Sequence, residues 1–380
     1  MIYRDFKGLK LSGLGMGNMR LPVIDGDDSR IDFDRASALI RRAYEGGVNY
    51  FDTAYGYHGG NSENTVGRAL AGVPRGSFYL ADKFPGFSVE NVSRVKEIFE
   101  EQLSRCGTDY FDFYLFHNIY EKNIDMCLDP QYGVFDYLLE QKRAGRIRHL
   151  GFSCHGELPT LRRFLDAGGD ELEFCQIQLN YVDWSLQHAD EKVALLNERG
   201  IPVWVMEGVR GGRLVNLPAE AAETLKALRP EESVVSWAFR FLQSVPGVTM
   251  VLSGMSTPEQ VDENLATWAE DKPLSEAEFK TVTDIGRDLF ARGTVPCTAC
   301  HYCVSQCPQG LDIPRLLQLY NEAAYSGVDA FVVREGVAGL SEDKRPASCV
   351  ACHSCSAVCP QKIEIPETLA KFTEMLNAKA

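Results

Sequence analysis

The sequence predicts a closed, eight-stranded parallel α/β barrel, a (β/α)8 TIM barrel, followed by a small, mainly helical domain built around cysteines. Three observations carry this. Eight short β-branched and aromatic runs alternate with eight helix-patterned segments over roughly 250 residues, the order and length of such a barrel. Asp52, Lys83, His117, Ser153, Met206 and Ser253 all fall at or just past the ends of these runs, the face where such barrels carry their chemistry. Two cysteine quartets of identical spacing follow the last barrel helix. The expected division is residues 1–290 for the barrel and 291–380 for the helical domain.

Taken in order, residues 9–15 read as the first strand, with room for a small hairpin before them, and residues 16–22 as a loop. Residues 34–45 place Ala38, Leu39 and Ala43 at helical spacing and stop at Gly46-Gly47. Residues 48–51 form a short buried strand, and Asn61-Ser62 caps a helix over 62–70. Strand and helix then alternate: 78–83 with 89–105, 111–117 with 135–144, 147–153 with 158–167, and 174–179 with 190–199. The series ends with 202–206 and 233–243, then 249–253 and 258–268, and a further helix over 275–290. A doubly wound open sheet shares this alternation. No Gly-x-Gly-x-x-Gly follows a strand, however, and the functional residues gather at strand ends, so the barrel is preferred.

Composition bounds the function. With 45% hydrophobic and 24% charged residues, the chain has the balance of a soluble globular protein. Its net charge of −14 argues against nucleic-acid and anionic-membrane partners. The N-terminus has no signal-peptide core, and no run approaches the ~20 apolar residues of a membrane span, so the expected location is cytoplasmic. Twelve cysteines would be unusual as disulfides in that compartment. Cys106, Cys127 and Cys175 read as small buried hydrophobes, whereas Cys154, beside the strand end at Ser153, is the exception that could touch a ligand. The other eight form Cys297-x2-Cys300-x2-Cys303-x3-Cys307-Pro308 and Cys349-x2-Cys352-x2-Cys355-x3-Cys359-Pro360. This spacing ligates cubane clusters, the fourth cysteine commonly serving the other cluster of a pair. Zinc sites are usually satisfied by simpler Cys-x-x-Cys pairs, so two 4Fe-4S clusters are expected. Each quartet is followed by a similar tail, 309–314 and 361–366, which makes the region an internal repeat, and the helix-patterned stretch between the quartets points to a helical ferredoxin-like domain.

Asp52, Tyr57, Lys83 and His117 can act as a chemical unit. A phenol with a pKa near ~10 is a poor acid at neutral pH, and a nearby ammonium lowers it. Lys83 would supply that charge, Asp52 would hold Lys83, and Tyr57 would donate a proton to a carbonyl oxygen that His117 orients. The reducing pair would then come as hydride from a nicotinamide. Tyr55 and His58 compete for the roles of Tyr57 and His117, and spacing alone does not choose among them.

Phe51-Asp52-Thr53-Ala54-x-x-Tyr57, Ala81-Asp82-Lys83 and Leu115-Phe116-His117-Asn118, with Ser62-Glu63 and Val66-Gly67-x-x-Leu70, together resemble the aldo/keto reductase superfamily over residues 1 to 290. With the two quartets, the chain resembles its bacterial branch carrying an appended iron–sulfur domain. The resemblance implies Tyr57 as general acid, Asp52 and Lys83 tuning it, and His117 orienting a small carbonyl substrate. It implies NAD(H) or NADP(H) across the barrel mouth, with Ser153 and Gln176 at the carboxamide and Asn18 and Met19 in the first loop. The chain departs from the family at Ser153-Cys154, where Ser-Asn is usual, and at Met206, where an aromatic residue usually stacks on the nicotinamide. Gly254 and Gln260 stand where the family has the lysine and arginine that read the 2′-phosphate, while Glu263-Asn264 is retained. NADH is therefore expected to bind at least as well as NADPH, unless Arg210 or Arg213 contacts the phosphate.

Three functions compete: a reductase with an electron-transfer module and a redox partner protein, an electron-transfer protein without carbonyl turnover, and a reductase with structural clusters. Hydride carries two electrons and a cluster takes one. A flavin is the usual splitter, and barrels bind flavin without a sharp motif.

Overall fold

The computed structural model describes residues 1–378 except 122, 292 and 330. Their contacts gather into two compact units, Met1–Asn180 with Gln187–Gly208 and Ser236–Ser275, and Tyr181–Leu186 with Val209–Val235 and Glu276–Ala380.

The first unit is the barrel. A hairpin of β1 (Tyr3–Phe6) and β2 (Leu9–Ser12) precedes β3 (Leu14–Gly17), β4 (Tyr50–Asp52), β5 (Tyr79–Phe84), β6 (Phe111–Ile119), β7 (Ile147–Cys154), β8 (Cys175–Gln178), β9 (Val203–Met206) and β10 (Val248–Gly254). Strands β3 to β10 are all parallel, and β10 pairs with β3 to close the ring.

The expected first strand over 9–15 is two strands. Leu9–Ser12 pairs antiparallel with β1, and the barrel begins at Leu14. The break is at Gly13, whose N–H donates to Ile2 O at 2.8 Å. A Cβ there would stand 2.6 Å from the Trp268 ring, so only glycine fits this corner. The helix expected over 89–105 also divides, into Val89–Ser93, capped by the Ser88 side chain, and Val95–Cys106. Arg94 between them leaves helical geometry at φ −115°, ψ 24°.

Side chains alternate across a strand, so inward positions share parity. Tyr50, Ala81, Phe113, Leu115, Trp204, Met250 and Leu252 form the buried filling of the barrel. Stepping two residues toward the C-terminal ends reaches Asp52, Lys83, His117 and Met206. Parity alone therefore aims these side chains inward at the mouth.

The opposite end is stoppered by the hairpin. Phe6 is buried and meets Phe113, His149, Phe174 and Trp204 with ring centroids 5.0–6.3 Å apart. Beside it, buried Glu173 accepts from Lys7 at 2.7 Å, His149 at 2.9 Å and Lys142 at 3.1 Å. Burial pushes the Glu173 carboxyl up, but these three donors outweigh it and leave its pKa at about 2.

The second unit is mainly helical, with Ala219–Leu228, Glu276–Ala291, Ile313–Ser326, Phe331–Ala338 and Ile365–Asn377. The repeated tails start equivalent helices, Ile313-Pro314 and Ile365-Pro366, each placing proline in the first turn where its missing N–H costs nothing. Leu311, Ile313, Leu316, Leu317, Ile363, Ile365 and Leu369 form one core with Cys297, Cys303 and Cys355. Among the described residues, no helix is long and apolar enough to cross a membrane.

Because the folded pKa of Glu173 lies below its unfolded value, its contribution is present above about pH 4.5 and lost as pH falls toward 2. Urea unfolding of the parent protein and Glu173→Gln should therefore differ most near neutral pH, and the difference should shrink steadily through that acid window. A difference independent of pH would exclude the ionised carboxylate as its source.

Candidate active site

Asp52 closes β4, Lys83 lies near the end of β5 and His117 near the end of β6. At His117 the register slips between Phe116 and Ile119, and Asn118 takes φ 55°, a local bulge that re-aims the strand end. The Asn118 N–H donates to Ser153 Oγ at 2.7 Å, which ties the bulge to the next strand. Tyr57 starts the short turn Tyr57–Gly60, where Gly59 and Gly60 take φ of 62° and 91°.

These elements converge on one ammonium group. Lys83 is fully buried, and its Nζ donates to Asp52 Oδ1 at 2.5 Å, Thr53 O at 2.7 Å and Tyr57 Oη at 3.3 Å. The Tyr57 and His117 rings meet edge to face with centroids 5.7 Å apart, and Phe87 flanks His117 at 5.1 Å. His117 Nδ1 has no hydrogen-bond partner among the described residues.

The electrostatics follow. Burial acts to lower the Lys83 pKa, but Asp52 and then Tyr57 more than offset it, so the ammonium is held charged. Burial pushes Asp52 up against the pull of Lys83. Burial, then Lys83 and His155, hold His117 well below the ordinary histidine value, so its imidazole is neutral at pH 7. The net shift of the Tyr57 pKa runs opposite to the expected lowering. Lys83 does pull it down, but burial raises it more and Asp52 adds to the rise, so the resting phenol lies above its ordinary value.

The competing residues are engaged elsewhere. Tyr55 Oη donates to Glu101 at 2.8 Å, and its ring lies under Arg105. His58 Nε2 accepts from Leu21 N–H at 3.2 Å, and its Nδ1 faces Asp28 O at 2.8 Å. Cys154 is buried, with its sulfur facing Gly156 O at 3.9 Å, and burial pushes its pKa up to about 11.

The residues expected at a nicotinamide lie on the same barrel. Asn18 Nδ2 donates to Asp52 O at 2.9 Å, and Gln176 Nε2 approaches Met206 Sδ at 3.5 Å. The buried Asn18 Oδ1 and Gln176 Oε1 have no partner among the described residues, so both present acceptors that fit a carboxamide N–H. Ser153 is buried, whereas Met19 is exposed. Asn264 Nδ2 donates to Ser253 Oγ at 3.0 Å, and Gln260 Oε1 accepts from Ser256 N–H at 2.7 Å. Gly254 is exposed, and a Cβ on it would meet the stem of Arg20 at 3.3 Å. Sequence reasoning missed Arg20, which is more than 230 residues away along the chain, as the 236-residue separation between Arg20 and Ser256 in their hydrogen bond illustrates. Arg210 and Arg213, the suggested phosphate contacts, are directed elsewhere. Arg210 pairs with buried Asp183 at 3.2 Å, and Arg213 Nε donates to Cys297 O at 3.0 Å.

In the second unit, Cys297, Cys300, Cys303 and Cys359 line one pocket. Its fourth cysteine thus comes from the second quartet. Four soft thiolate donors around one space fit a cubane cluster.

A parallel barrel with a buried Asp–Lys–Tyr constellation and histidine at its strand ends, joined to a cysteine-quartet domain, defines an oxidoreductase. The chain belongs to the aldo/keto reductase family, whose model matches residues 13–287, and a 4Fe-4S dicluster domain matches residues 296–364. It is 27% identical over 331 residues to the NADH-specific methylglyoxal reductase of Escherichia coli, covering 74% of this chain and 96% of that protein. It is 27% identical over 291 residues to the L-galactose dehydrogenase of Arabidopsis thaliana, covering 70% and 87%. Among solved structures it resembles the holo form of the aldo-keto reductase AKR11C1 from Bacillus halodurans, with a TM-score of 0.61, 26% identity, and coverage of 75% of this chain and 96% of that one.

Iron and acid-labile sulfide of anaerobically purified protein should come to about eight each per chain. Cys359→Ala should lose the cluster of Cys297, Cys300 and Cys303 and retain about half the iron. Undiminished iron in that variant would sink the crossed ligation.

Proposed function

We propose that the barrel reduces a small aldehyde or ketone, or oxidises the corresponding alcohol, with Tyr57 as the proton donor. The observation that carries this is the fully buried Lys83 ammonium shared between Asp52 and the Tyr57 phenol. A nicotinamide, when bound, supplies the hydride that reaches the carbonyl carbon. The raised resting pKa keeps the phenol protonated at neutral pH, the state a donor requires. As the proton passes to the carbonyl oxygen, the Lys83 ammonium at 3.3 Å stabilises the phenolate left behind, and Asp52 and Thr53 O hold Lys83 in place. Neutral His117 donates an N–H to the same oxygen and orients the substrate.

Ser153, Gln176, Asn18, Met19, Met206, Gly254, Gln260 and Asn264 would hold the dinucleotide. Residues 1–290 act as the reductase and residues 291–380 as a two-cluster module passing single electrons to a redox partner protein, in a cytoplasmic enzyme. A flavin would be the natural two-to-one electron splitter between such partners.

Tyr57→Phe and Lys83→Met should each lower kcat for a small aldehyde by about a hundredfold or more while dinucleotide binding persists. Loss of less than tenfold in Tyr57→Phe would remove Tyr57 from the acid role.

With no cation at positions 254 and 260, equilibrium binding should show NADH at least as tight as NADPH. A preference for NADPH of about tenfold or more that disappears in Arg20→Ala would assign the phosphate to Arg20 instead. Failure of both dinucleotides to bind at about 1 mM would favour an electron-transfer protein without carbonyl turnover.

A further inference from the structure

Beyond the carbonyl chemistry, the second unit holds a cationic turn against one cluster site. Residues Arg210–Val215 form a short helical turn in which Gly211 and Gly212 take φ of 62° and 88°. Arg210 is buried, and its guanidinium meets the fully buried Asp183 carboxylate at 3.2–3.3 Å through both Nε and Nη2. Asp183 therefore offsets the Arg210 charge. Arg213, half-buried, donates its Nε–H to the backbone carbonyl of Cys297 at 3.0 Å. Cys297 opens the first quartet and lines the pocket shared with Cys300, Cys303 and Cys359.

A cubane cluster gains one negative charge when it takes an electron, with no bond made or broken. A cation fixed beside one of its ligands favours the more negative, reduced state and so raises the reduction potential. Partial burial strengthens the effect, because less solvent screens it. We propose that Arg213, with the Arg210–Asp183 pair behind it, is a tuning residue that holds up the reduction potential of the cluster ligated by Cys297, Cys300, Cys303 and Cys359. The inference rests on the dicluster domain and not on the carbonyl chemistry of the barrel. Arg213 acts on the cluster through its charge and through the hydrogen bond to Cys297, without being a ligand.

The test uses the full chain carrying both clusters, poised with dithionite at a series of potentials at fixed pH and ionic strength. Reduced clusters are counted by electron paramagnetic resonance, and Cys300→Ser identifies which of the two waves belongs to this site. Arg213→Gln should lower that wave by at least tenfold in the reduction equilibrium, about 59 mV for one electron, and leave the other wave in place. Arg213→Lys, which keeps the charge, should fall less than half as far. Asp183→Asn, which removes the counter-charge to Arg210, should move the same wave upward, and Arg213→Met, which keeps the bulk of the stem without the charge, takes the place of Arg213→Gln if that variant does not load iron. An unmoved wave in Arg213→Gln, an equal drop in the Lys and Gln variants, or no upward movement in Asp183→Asn would overturn the proposal.

Discussion

A charged ammonium with no exposure to water is the constraint on which the barrel mouth depends. An ion buried without partners costs several kcal/mol, so Lys83 can be charged only where acceptors surround it. Asp52 Oδ1, Thr53 O and Tyr57 Oη meet that demand, and each comes from the end of β4 or the turn that follows it. The same contacts that stabilise Lys83 fix the distance from its charge to the phenol. The next residue back, Asp82, points the other way by strand parity and meets a different set of groups. Its Oδ1 accepts the Lys83 N–H at 2.8 Å, and Cys106 Sγ approaches its Oδ2 at 3.8 Å. Burial, then the neighbouring Glu63 charge, push the Asp82 carboxyl well above its ordinary value. Glu63 is itself anchored by Arg105 at 2.9 Å. One strand end thus carries a paired cation inside the barrel and a buried carboxyl pair behind it.

Much of this was legible in the sequence because strand parity and strand ends are local features. Asp52, Lys83 and His117 could be found as the functional side chains at the ends of three largely apolar runs. Spacing did not separate Tyr57 from Tyr55, two residues away; the family resemblance chose Tyr57, and the fold adds that Tyr55 is drawn to Glu101 and Arg105 on another helix. His58 is likewise occupied by Asp28 and Leu21 on a distant loop. The direction of the Tyr57 pKa was beyond sequence reasoning for a different reason. The attraction of Lys83 can be guessed from a motif, whereas desolvation depends on every neighbour that excludes water. Arg20 was missed because its relation to Gly254 joins the first and last strands of a closed ring, and nothing local signals that closure. The break at Gly13 has the same origin, because the ring that crowds it belongs to Trp268.

The cysteine domain shows how a repeat can encode a single cooperative object. The first three cysteines of one quartet share a pocket with the fourth cysteine of the other. The cores behind the quartets are shared too, with Leu311 and Ile313 from one tail and Ile363 and Ile365 from the other in one cluster. Ligand exchange and core sharing couple the halves, so metal binding in one half organises residues of the other.

The stopper of Phe6 at the far end of the barrel has a consequence for traffic. With that ring seated among Phe113, Phe174 and Trp204 below the packed interior, the far end of the barrel gives no passage to Lys83. Any molecule that reaches Lys83 must enter and leave at the strand-end rim.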